Sequence, residues 1–183
     1  MNNKDLVKIS KFLSLVLRHK PESIGLKLDE NGWAFVDDLL VRSKERFRNL
    51  NKDVLFEVVE KNNKKRFALN DDNTKIRASQ GHSVNIDLSL KPIEPPNYLF
   101  HGTSTKNWEL IKNIGLKKQN RQFVHLSKDK QTAINVGRRH GTPVVLKIMA
   151  KEMYNDGFKF YLSENLVWLT DSVPIKFISI ATK

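Results

Sequence analysis

The sequence of 183 residues contains no cysteine. This absence excludes disulfide bonds, thiolate metal ligands and a thiol nucleophile. The five histidines do not supply a zinc site in their place, because no two of them have the HxxxH spacing of a helical site. We therefore expect no bound metal.

Long apolar segments are missing as well. No run approaches the roughly 18 residues of a membrane-spanning helix, and the amino terminus leads into an amphipathic stretch instead of a secretion signal. A hydrophobic fraction of 39% and a charged fraction of 28% still allow a buried core. We expect a soluble, cytoplasmic protein that is monomeric and not attached to a membrane.

Acidic residues are few relative to basic ones. The chain has 20 Asp and Glu residues against 32 Lys and Arg residues, which gives a formal net charge of +12 and a pI of about 9.9. A field of this sign attracts polyanions such as nucleic acids; a generally basic surface is the alternative interpretation. No Asp or Glu lies in a recognisable catalytic pair, and no Walker or GxGxxG loop is present.

Arginine and histidine without catalytic carboxylates indicate a particular kind of substrate. A phosphate monoester has a second pKa of about 6, so near neutral pH it is largely dianionic and brings its own nucleophile. Such a substrate needs positioning and charge neutralisation more than it needs a general base. The sequence therefore favours chemistry on a phosphorylated substrate.

The first half of the chain predicts helices followed by a two-stranded ribbon. Apolar residues from Leu6 to Leu17 recur at helical spacing, and Pro21 ends this helix near Lys20. The next predicted elements are a strand at 24–28, a helix at 36–47, a helix at 52–61 capped by Asn51, and a hairpin of strands 66–69 and 75–78. This order predicts a winged-helix arrangement, and its basic hairpin either contacts a phosphate backbone or is a solvated face.

Three residues of this half are candidate anion ligands. Arg18 and His19 lie in the last turn of the first helix, where cations complement the helix dipole or form half of an anion site. Arg77 lies at the end of a strand beside a turn, so its planar guanidinium can be directed at a phosphate.

His82 and His140 could each have a structural or a functional role. The tryptophans are expected in the core: Trp33, Trp108 and Trp168.

The second half predicts a mostly β, α+β domain. Residues 83–96 read as a strand and a proline-containing linker at 91–96, which separates domains at 1–90 and 97–183. Beyond the linker, the predicted strands are 98–100, 122–127, 143–149, 158–162, 166–169 and 175–180. The predicted helices are 106–114, with an N-cap among the Thr and Ser residues before it and a stop at Gly115, and 128–139.

Two histidines each follow a short strand and have a hydroxyl residue two positions later. The strand before His101 is expected to stop at a tight turn at Gly102, which exposes His101 and Thr103. His125 and Ser127 repeat the pattern. Because strand ends hold nucleotides in α/β-type folds, we expect both pairs to line one nucleotide-binding cleft.

Seven short segments follow one another in a specific order over nearly the whole chain: Ser10–Pro21, Gly32-Trp33, Ile76–Ser83, Leu99–Thr103, Val124–Ser127, Val136–Gly141 and Val167–Thr170. Together they resemble the NAD-dependent RNA 2′-phosphotransferases, often called tRNA 2′-phosphotransferases. Each segment alone is modest evidence, whereas the combination is specific to that family.

The resemblance implies an N-terminal winged-helix RNA-binding lobe and a C-terminal ADP-ribosyltransferase-like lobe with a mixed β-sheet that binds NAD. It also implies a reaction in which an internal RNA 2′-phosphate attacks C1″ of the nicotinamide ribose and expels nicotinamide, giving a 2′-phospho-ADP-ribosylated RNA. The ribose 2″-hydroxyl then attacks that phosphate, which leaves 2′-hydroxyl RNA and releases ADP-ribose 1″,2″-cyclic phosphate. The implied partners are NAD, consumed as a co-substrate, and an RNA with a 2′-phosphate, such as a tRNA.

The resemblance also implies roles for individual residues. The family's catalytic set of Arg, His, Arg and Arg falls on Arg18, His19, Arg77 and Arg139. Arg138 is the alternative for the fourth position, but Arg139 directly precedes His-Gly, as in the family. The arginines would clamp the 2′-phosphate, and His19 would orient it or move a proton. The implied NAD-binding residues are His101, Gly102, Thr103, His125, Leu126, Ser127 and Val167.

Two other functions stay open at this point. An ADP-ribosyltransferase that acts on terminal nucleic-acid phosphates, or on another acceptor, would use the same NAD site and release nicotinamide without removing phosphate from RNA. The catalytic Glu that related toxins carry on a late strand is missing from 166–169, which fits a substrate that needs no base. A non-catalytic winged-helix nucleic-acid-binding protein would show no NAD dependence.

Overall fold

Residues 2–181 are described by a computed structural model, in which the chain divides into two units between Ser89 and Leu90. The elements of the first unit, in chain order, are α1 (Asn3–Arg18), a 3₁₀ turn (Pro21–Ile24), β1 (Ala34–Phe35), α2 (Val36–Ser43), α3 (Lys52–Glu60), β2 (Phe67–Leu69) and β3 (Lys75–Ala78). The three strands form an antiparallel sheet in the order β1-β3-β2. The long first helix therefore belongs to a unit whose small sheet has β3 at its centre.

Helix α1 forms where the apolar periodicity predicts it. Leu13, Val16 and Leu17 are fully buried in the core of the first unit, and the Asn2 side chain accepts a hydrogen bond from the backbone N–H of Asp5 at 2.9 Å. The helix ends one residue before His19, as expected from the proline that follows. These local signals fix the position of the cationic residues at its carboxyl end.

The predicted strand at 24–28 is wrong. Pro21 instead begins a 3₁₀ turn, and Gly25 ends it in the left-handed region at φ 63°. Proline suits the first position of such a turn and glycine suits its end, so local backbone preference decided the structure here. Alternation of apolar residues over five positions was too short a signal for a strand.

The other predictions for the first unit hold with changed boundaries. Asn51 caps α3 by accepting a hydrogen bond from the N–H of Val54 at 2.9 Å, as predicted. The hairpin of β2 and β3 is present. Helix α2 ends at Ser43 rather than near Phe47, and the Phe47 ring packs against the Phe12 ring with their centroids 5.1 Å apart.

The second unit contains eight short strands and three helices among the described residues. In order they are β4 (Leu99–Ser104), α4 (Thr105–Ile114), β5 (Leu116–Lys117), β6 (Val124–Leu126), α5 (Lys130–Gly137), β7 (Pro143–Ile148), α6 (Ala150–Asn155), β8 (Tyr161–Leu162), β9 (Trp168–Thr170), β10 (Ser172–Val173) and β11 (Ile178–Ile180). A 3₁₀ turn at Arg138–His140 follows α5, and another at Ile175–Phe177 precedes β11. The antiparallel sheets have the orders β11-β7-β4, β6-β9-β8 and β10-β5.

The tight turn predicted at Gly102 is wrong, because β4 runs straight through it to Ser104. Gly102 pairs with Val145 of β7 in the antiparallel register. A Cβ atom on Gly102 would lie 1.7 Å from the backbone oxygen of Ala133 in α5. The glycine therefore permits α5 to approach the strand closely. Ser104 then caps α4 by accepting a hydrogen bond from Asn107 N–H, which the sequence did predict.

Several predicted elements of the second unit are shorter than expected. Helix α5 begins after its Asp129 cap, which accepts a hydrogen bond from Thr132 N–H at 2.7 Å. No strand forms within 83–96, and Ile93 of the predicted linker donates its N–H to the Phe160 carbonyl at 2.9 Å. Glu94 forms an ion pair with Lys151. Helix α6 and the strands β5 and β10 were not predicted.

Candidate active site

The carboxyl end of α1 holds two of the predicted catalytic residues, Arg18 and His19. The carbonyl oxygen of Arg18 accepts hydrogen bonds from the backbone N–H groups of Ser83, at 2.9 Å, and Val84, at 3.3 Å. A Cβ atom on Gly81, which has φ +88°, would lie 3.6 Å from Arg18 Nη1. The segment 81–84 therefore wraps around the end of the helix and fixes both the backbone and the side chain of Arg18.

Arg77 projects from β3 on the side opposite the buried Ile76 and Ala78. Its guanidinium carbon lies 4.4 Å from the centre of the Trp33 ring, which is a cation–π contact. Stacking uses the face of the guanidinium, whereas its hydrogen bonds are made at the edge. Trp33 is thus half-buried and supports Arg77, although the sequence predicted a purely core residue.

His82 lies close enough to Arg18, His19 and Arg77 for the charges of all three to affect it, so these predicted ligands lie near one another. Its side chain is 1% exposed, and neither ring nitrogen has a hydrogen-bond partner among the described residues. Burial, together with the charges of Arg18, His19 and Arg77, lowers the pKa of His82 from 6.5 to about 3. A neutral histidine is therefore surrounded by the cationic cluster, the name used below for Arg18, His19 and Arg77.

The composition of the cationic cluster determines which ligand it can hold. Two guanidinium groups and an imidazole offer hydrogen-bond donors, and Arg18 Nη2 already donates to the Arg66 carbonyl oxygen at 3.3 Å. Charge-assisted hydrogen bonds from such groups are roughly twice as strong as neutral ones when the acceptor is a phosphate or carboxylate. The cluster is therefore suited to a compact anion with several oxygen acceptors.

In the second unit, His101 and His125 are linked through the backbone. His101 Nδ1 lies 2.9 Å from the carbonyl oxygen of His125. Because a carbonyl only accepts, Nδ1 of His101 carries the hydrogen and its Nε2 is the acceptor nitrogen. Burial lowers the pKa of His101, the bond to His125 opposes this, and the charges of His140 and Arg121 lower it again. His101 is therefore a neutral acceptor near neutral pH.

Arg121 was not predicted as a site residue. Its Nη1 lies 2.7 Å from His125 Nδ1, and because arginine has only donors, the neutral His125 ring must carry its hydrogen on Nε2. The signal in the sequence was a cation four residues before His125, in the turn that leads into β6. Such a signal is visible only once the fold of that turn is known.

The remaining predicted NAD-binding residues lie on β4, β6 and the loop before β9. Phe100 and Ser127 exchange two backbone hydrogen bonds of 2.8 Å, which places the two strands side by side. Gly102 and Thr103 follow His101 on β4, and Leu126 pairs with Trp168 of β9. Val167, directly before Trp168, donates its N–H to the Ser163 hydroxyl at 3.0 Å.

The predicted fourth catalytic residue, Arg139, lies in the 3₁₀ turn that follows α5. Arg138 and Arg139 are both exposed there. A Cβ atom on Gly137 would lie 2.7 Å from the Thr103 carbonyl oxygen, so the turn starts directly against β4. The structure thus places the turn beside the strand that bears the predicted NAD-binding residues.

No group of three or more His, Asp or Glu side chains within residues 2–181 is arranged to hold a metal ion. In the same part of the chain, no helix is both long and apolar enough to cross a membrane.

Comparison with known proteins matches residues 4–172 to the model of the RNA 2′-phosphotransferase, Tpt1/KptA family. The chain belongs to this family. A protein of Flavobacterium johnsoniae named probable RNA 2′-phosphotransferase is 59% identical over 97% of this chain and 98% of its own length. Proteins with the same name from Fusobacterium nucleatum and Agrobacterium fabrum are 52% and 53% identical; each match covers 94% of this chain, and 97% and 92% of the two relatives respectively.

Membership in the RNA 2′-phosphotransferase family confirms the resemblance drawn from the seven short segments. Three of those segments, Ser10–Pro21, Gly32-Trp33 and Ile76–Ser83, meet in the first unit around His82. The catalytic and NAD-binding roles of individual residues stay predictions.

Proposed function

We propose that the protein removes an internal 2′-phosphate from RNA by transferring it to NAD, leaving a 2′-hydroxyl and producing nicotinamide and ADP-ribose 1″,2″-cyclic phosphate. The observation that carries the proposal is the convergence of Arg18, His19 and Arg77 around a buried, neutral histidine. We further propose that it acts as a cytoplasmic monomer and that tRNA is among its substrates. The family to which the chain belongs supports the reaction class.

The cationic cluster would bind the 2′-phosphate. Near neutral pH this group carries close to two negative charges and three acceptor oxygens. Arg18 and Arg77 would each direct guanidinium N–H groups at these oxygens, and His19 would add one ring N–H. The same donors would stabilise the charge that develops when the phosphoryl group is transferred. A phosphate that is already ionised requires no general base for its first attack, which fits the lack of a catalytic carboxylate in the predicted site.

The residues of the second unit fit the chemistry of NAD. Its pyrophosphate is anionic and needs a cationic partner, for which Arg121 is available beside His125. Its ribose hydroxyls are donors, and Nε2 of the neutral His101 is an acceptor. When bound, NAD supplies an electrophilic ribose carbon for the phosphate oxygen and a neighbouring hydroxyl for the second displacement. Arg139, in the turn against β4, is the proposed fourth catalytic residue.

The two units support separate substrate roles. The order α-β-α-α-β-β of the first unit, with β3 in the centre of its sheet, supports a winged-helix lobe that binds RNA. Lys64, Lys65 and Arg66 lead into β2 and would attract the phosphate backbone. The small antiparallel sheets of the second unit support an ADP-ribosyltransferase-like lobe.

The test uses a short RNA with one internal 2′-phosphate, incubated with the protein with and without NAD. Mass spectrometry would follow the RNA, nicotinamide and the cyclic-phosphorylated ADP-ribose. NAD-dependent loss of the phosphate with formation of the cyclic product is the expected result, and the Arg139→Ala variant should remain folded and lose turnover. Nicotinamide release with the phosphate retained would indicate another acceptor. No NAD consumption by folded protein would refute the proposal in favour of a binding protein.

A further inference from the structure

The hydroxyl of Ser83 lies against the ring of His19, although 64 positions separate the two residues in the sequence. Ser83 Oγ is 3.0 Å from His19 Nδ1 and 3.5 Å from the Arg18 carbonyl oxygen. The backbone N–H of Ser83 donates to that same carbonyl at 2.9 Å. A short backbone hydrogen bond therefore fixes the residue whose side chain contacts His19.

A serine hydroxyl both donates and accepts, so it can serve an imidazole in either charge state. When the hydroxyl donates to Nδ1 of a neutral ring, the shorter of its two contacts, the ring hydrogen lies on Nε2. Towards a protonated ring, Nδ1–H donates to Oγ, and the hydroxyl hydrogen turns towards the Arg18 carbonyl. The ring keeps one orientation in both states.

We propose that Ser83 is a positioning residue that holds the His19 ring in one orientation with a hydrogen on Nε2, whether or not the ring is protonated. The inference rests on the proposed function, in which His19 contacts the 2′-phosphate. It assigns to Ser83 no contact with the substrate. The turn at Gly81 and the backbone bond to Arg18 supply the rigidity that such a supporting role needs.

Steady-state kinetics on the phosphorylated RNA test the effect on catalysis. In metal sites, loss of the hydrogen-bond partner behind a histidine typically costs about 10-fold to 100-fold in affinity or activity. We expect a fall of that size in kcat for Ser83→Ala, an unchanged KM for NAD, and recovery of most of the rate in Ser83→Thr. The matched control is Ser23→Ala, since Ser23 Oγ donates to the Lys20 carbonyl at 2.6 Å near the same helix end. The control should keep the wild-type kcat.

Nitrogen-15 NMR of histidine-labelled protein gives a readout that does not depend on activity. Spectra are taken at about pH 8.5, and the His19 signals are identified by their loss in His19→Gln. The wild-type ring should be the Nε2–H tautomer with a hydrogen-bonded Nδ1. In Ser83→Ala the Nδ1 signal should move towards that of a water-exposed nitrogen, whereas Ser83→Thr should retain it.

Two results would overturn the proposal: an Nδ1–H tautomer in the wild-type protein, or an Nδ1 signal that is the same in Ser83→Ala as in wild type. A fall in kcat that Ser83→Thr does not restore would also count against it. If the wild-type protein transfers no phosphate at all, the proposed function fails, and the NMR result alone then decides whether Ser83 controls the His19 ring.

Discussion

Burial of His82 predicts a loss of stability in mild acid. The folded protein lowers the pKa of this histidine from 6.5 to about 3, because the ring is buried and surrounded by Arg18, His19 and Arg77. The unfolded chain therefore takes up a proton at a higher pH than the folded protein does. The contribution of the neutral ring is fully present above about pH 6.5 and is lost as the pH falls towards about 3.

The size of the effect follows from the same numbers. The interval between 6.5 and about 3 corresponds to about 5 kcal/mol at 1.36 kcal/mol per pH unit. About half of that, roughly 2.5 kcal/mol, should be lost between pH 7.5 and pH 4.5. Since the free energy of unfolding of a domain is typically about 5–15 kcal/mol, this loss is readily measured.

The assay compares wild type with His82→Leu and His82→Gln, neither of which titrates in this range. Urea titrations at pH 7.5, 6.5, 5.5 and 4.5 would be followed through the NMR amide signals of α1 and β3, so that unfolding of the first unit is measured separately. The difference between variant and wild type cancels the titration of carboxylates elsewhere. Both variants should lose less stability than wild type by about 2.5 kcal/mol over this range, whatever their stability at pH 7.5. Parallel pH dependences in all three proteins would show that His82 is not buried in its neutral form.

Three further predictions concern other parts of the structure. Trp33→Leu removes the cation–π support of Arg77, which is worth about 0.5–2 kcal/mol, so KM for the RNA should rise about 2-fold to 30-fold while thermal melting shows the fold retained; an unchanged KM would contradict the stacking argument. Arg121→Gln removes the hydrogen-bond donor to His125. It should raise KM for NAD by about 10-fold, in line with loss of a charged hydrogen-bond partner, and leave the RNA affinity measured by titration unchanged. Gly102→Ala forces a Cβ to within 1.7 Å of a backbone oxygen in α5 and should cost about 3 kcal/mol. Gly157→Ala, with φ +89° and open space around it, should cost only the backbone strain of about 1–2 kcal/mol. Equal losses in urea denaturation would refute the close-packing explanation.

Features set by neighbouring residues were predictable from the sequence. The end of α1 before Pro21, the Asn51 cap, the Ser104 cap and the stop at Gly115 all follow from local hydrogen-bonding and backbone rules. The predicted tight turn at Gly102 was wrong because glycine is needed there for close packing against α5, which lies about thirty residues later in the chain. The need for glycine at position 102 comes from tertiary packing, which no local sequence pattern shows.

The candidate site divides in the same way. Motif resemblance identified Arg18, His19 and Arg77, and the structure brings them together in the first unit. The contacts that support them were not predictable, since Ser83 and Trp33 act through side chains distant in sequence from the groups they hold. A sequence motif identifies candidate site residues. The side chains that hold them in position are identified only by the contacts of the folded structure.

The unbroken course of β4 has a consequence for redesign of the enzyme. Side chains alternate along a strand, so His101 and Thr103 point to one face while Gly102 turns its bare backbone to α5 on the other. Mutant libraries aimed at the proposed NAD site can therefore diversify the first face and leave the helix contact untouched. Position 102 should be held constant in any such library, because a change there alters the scaffold before it alters selectivity.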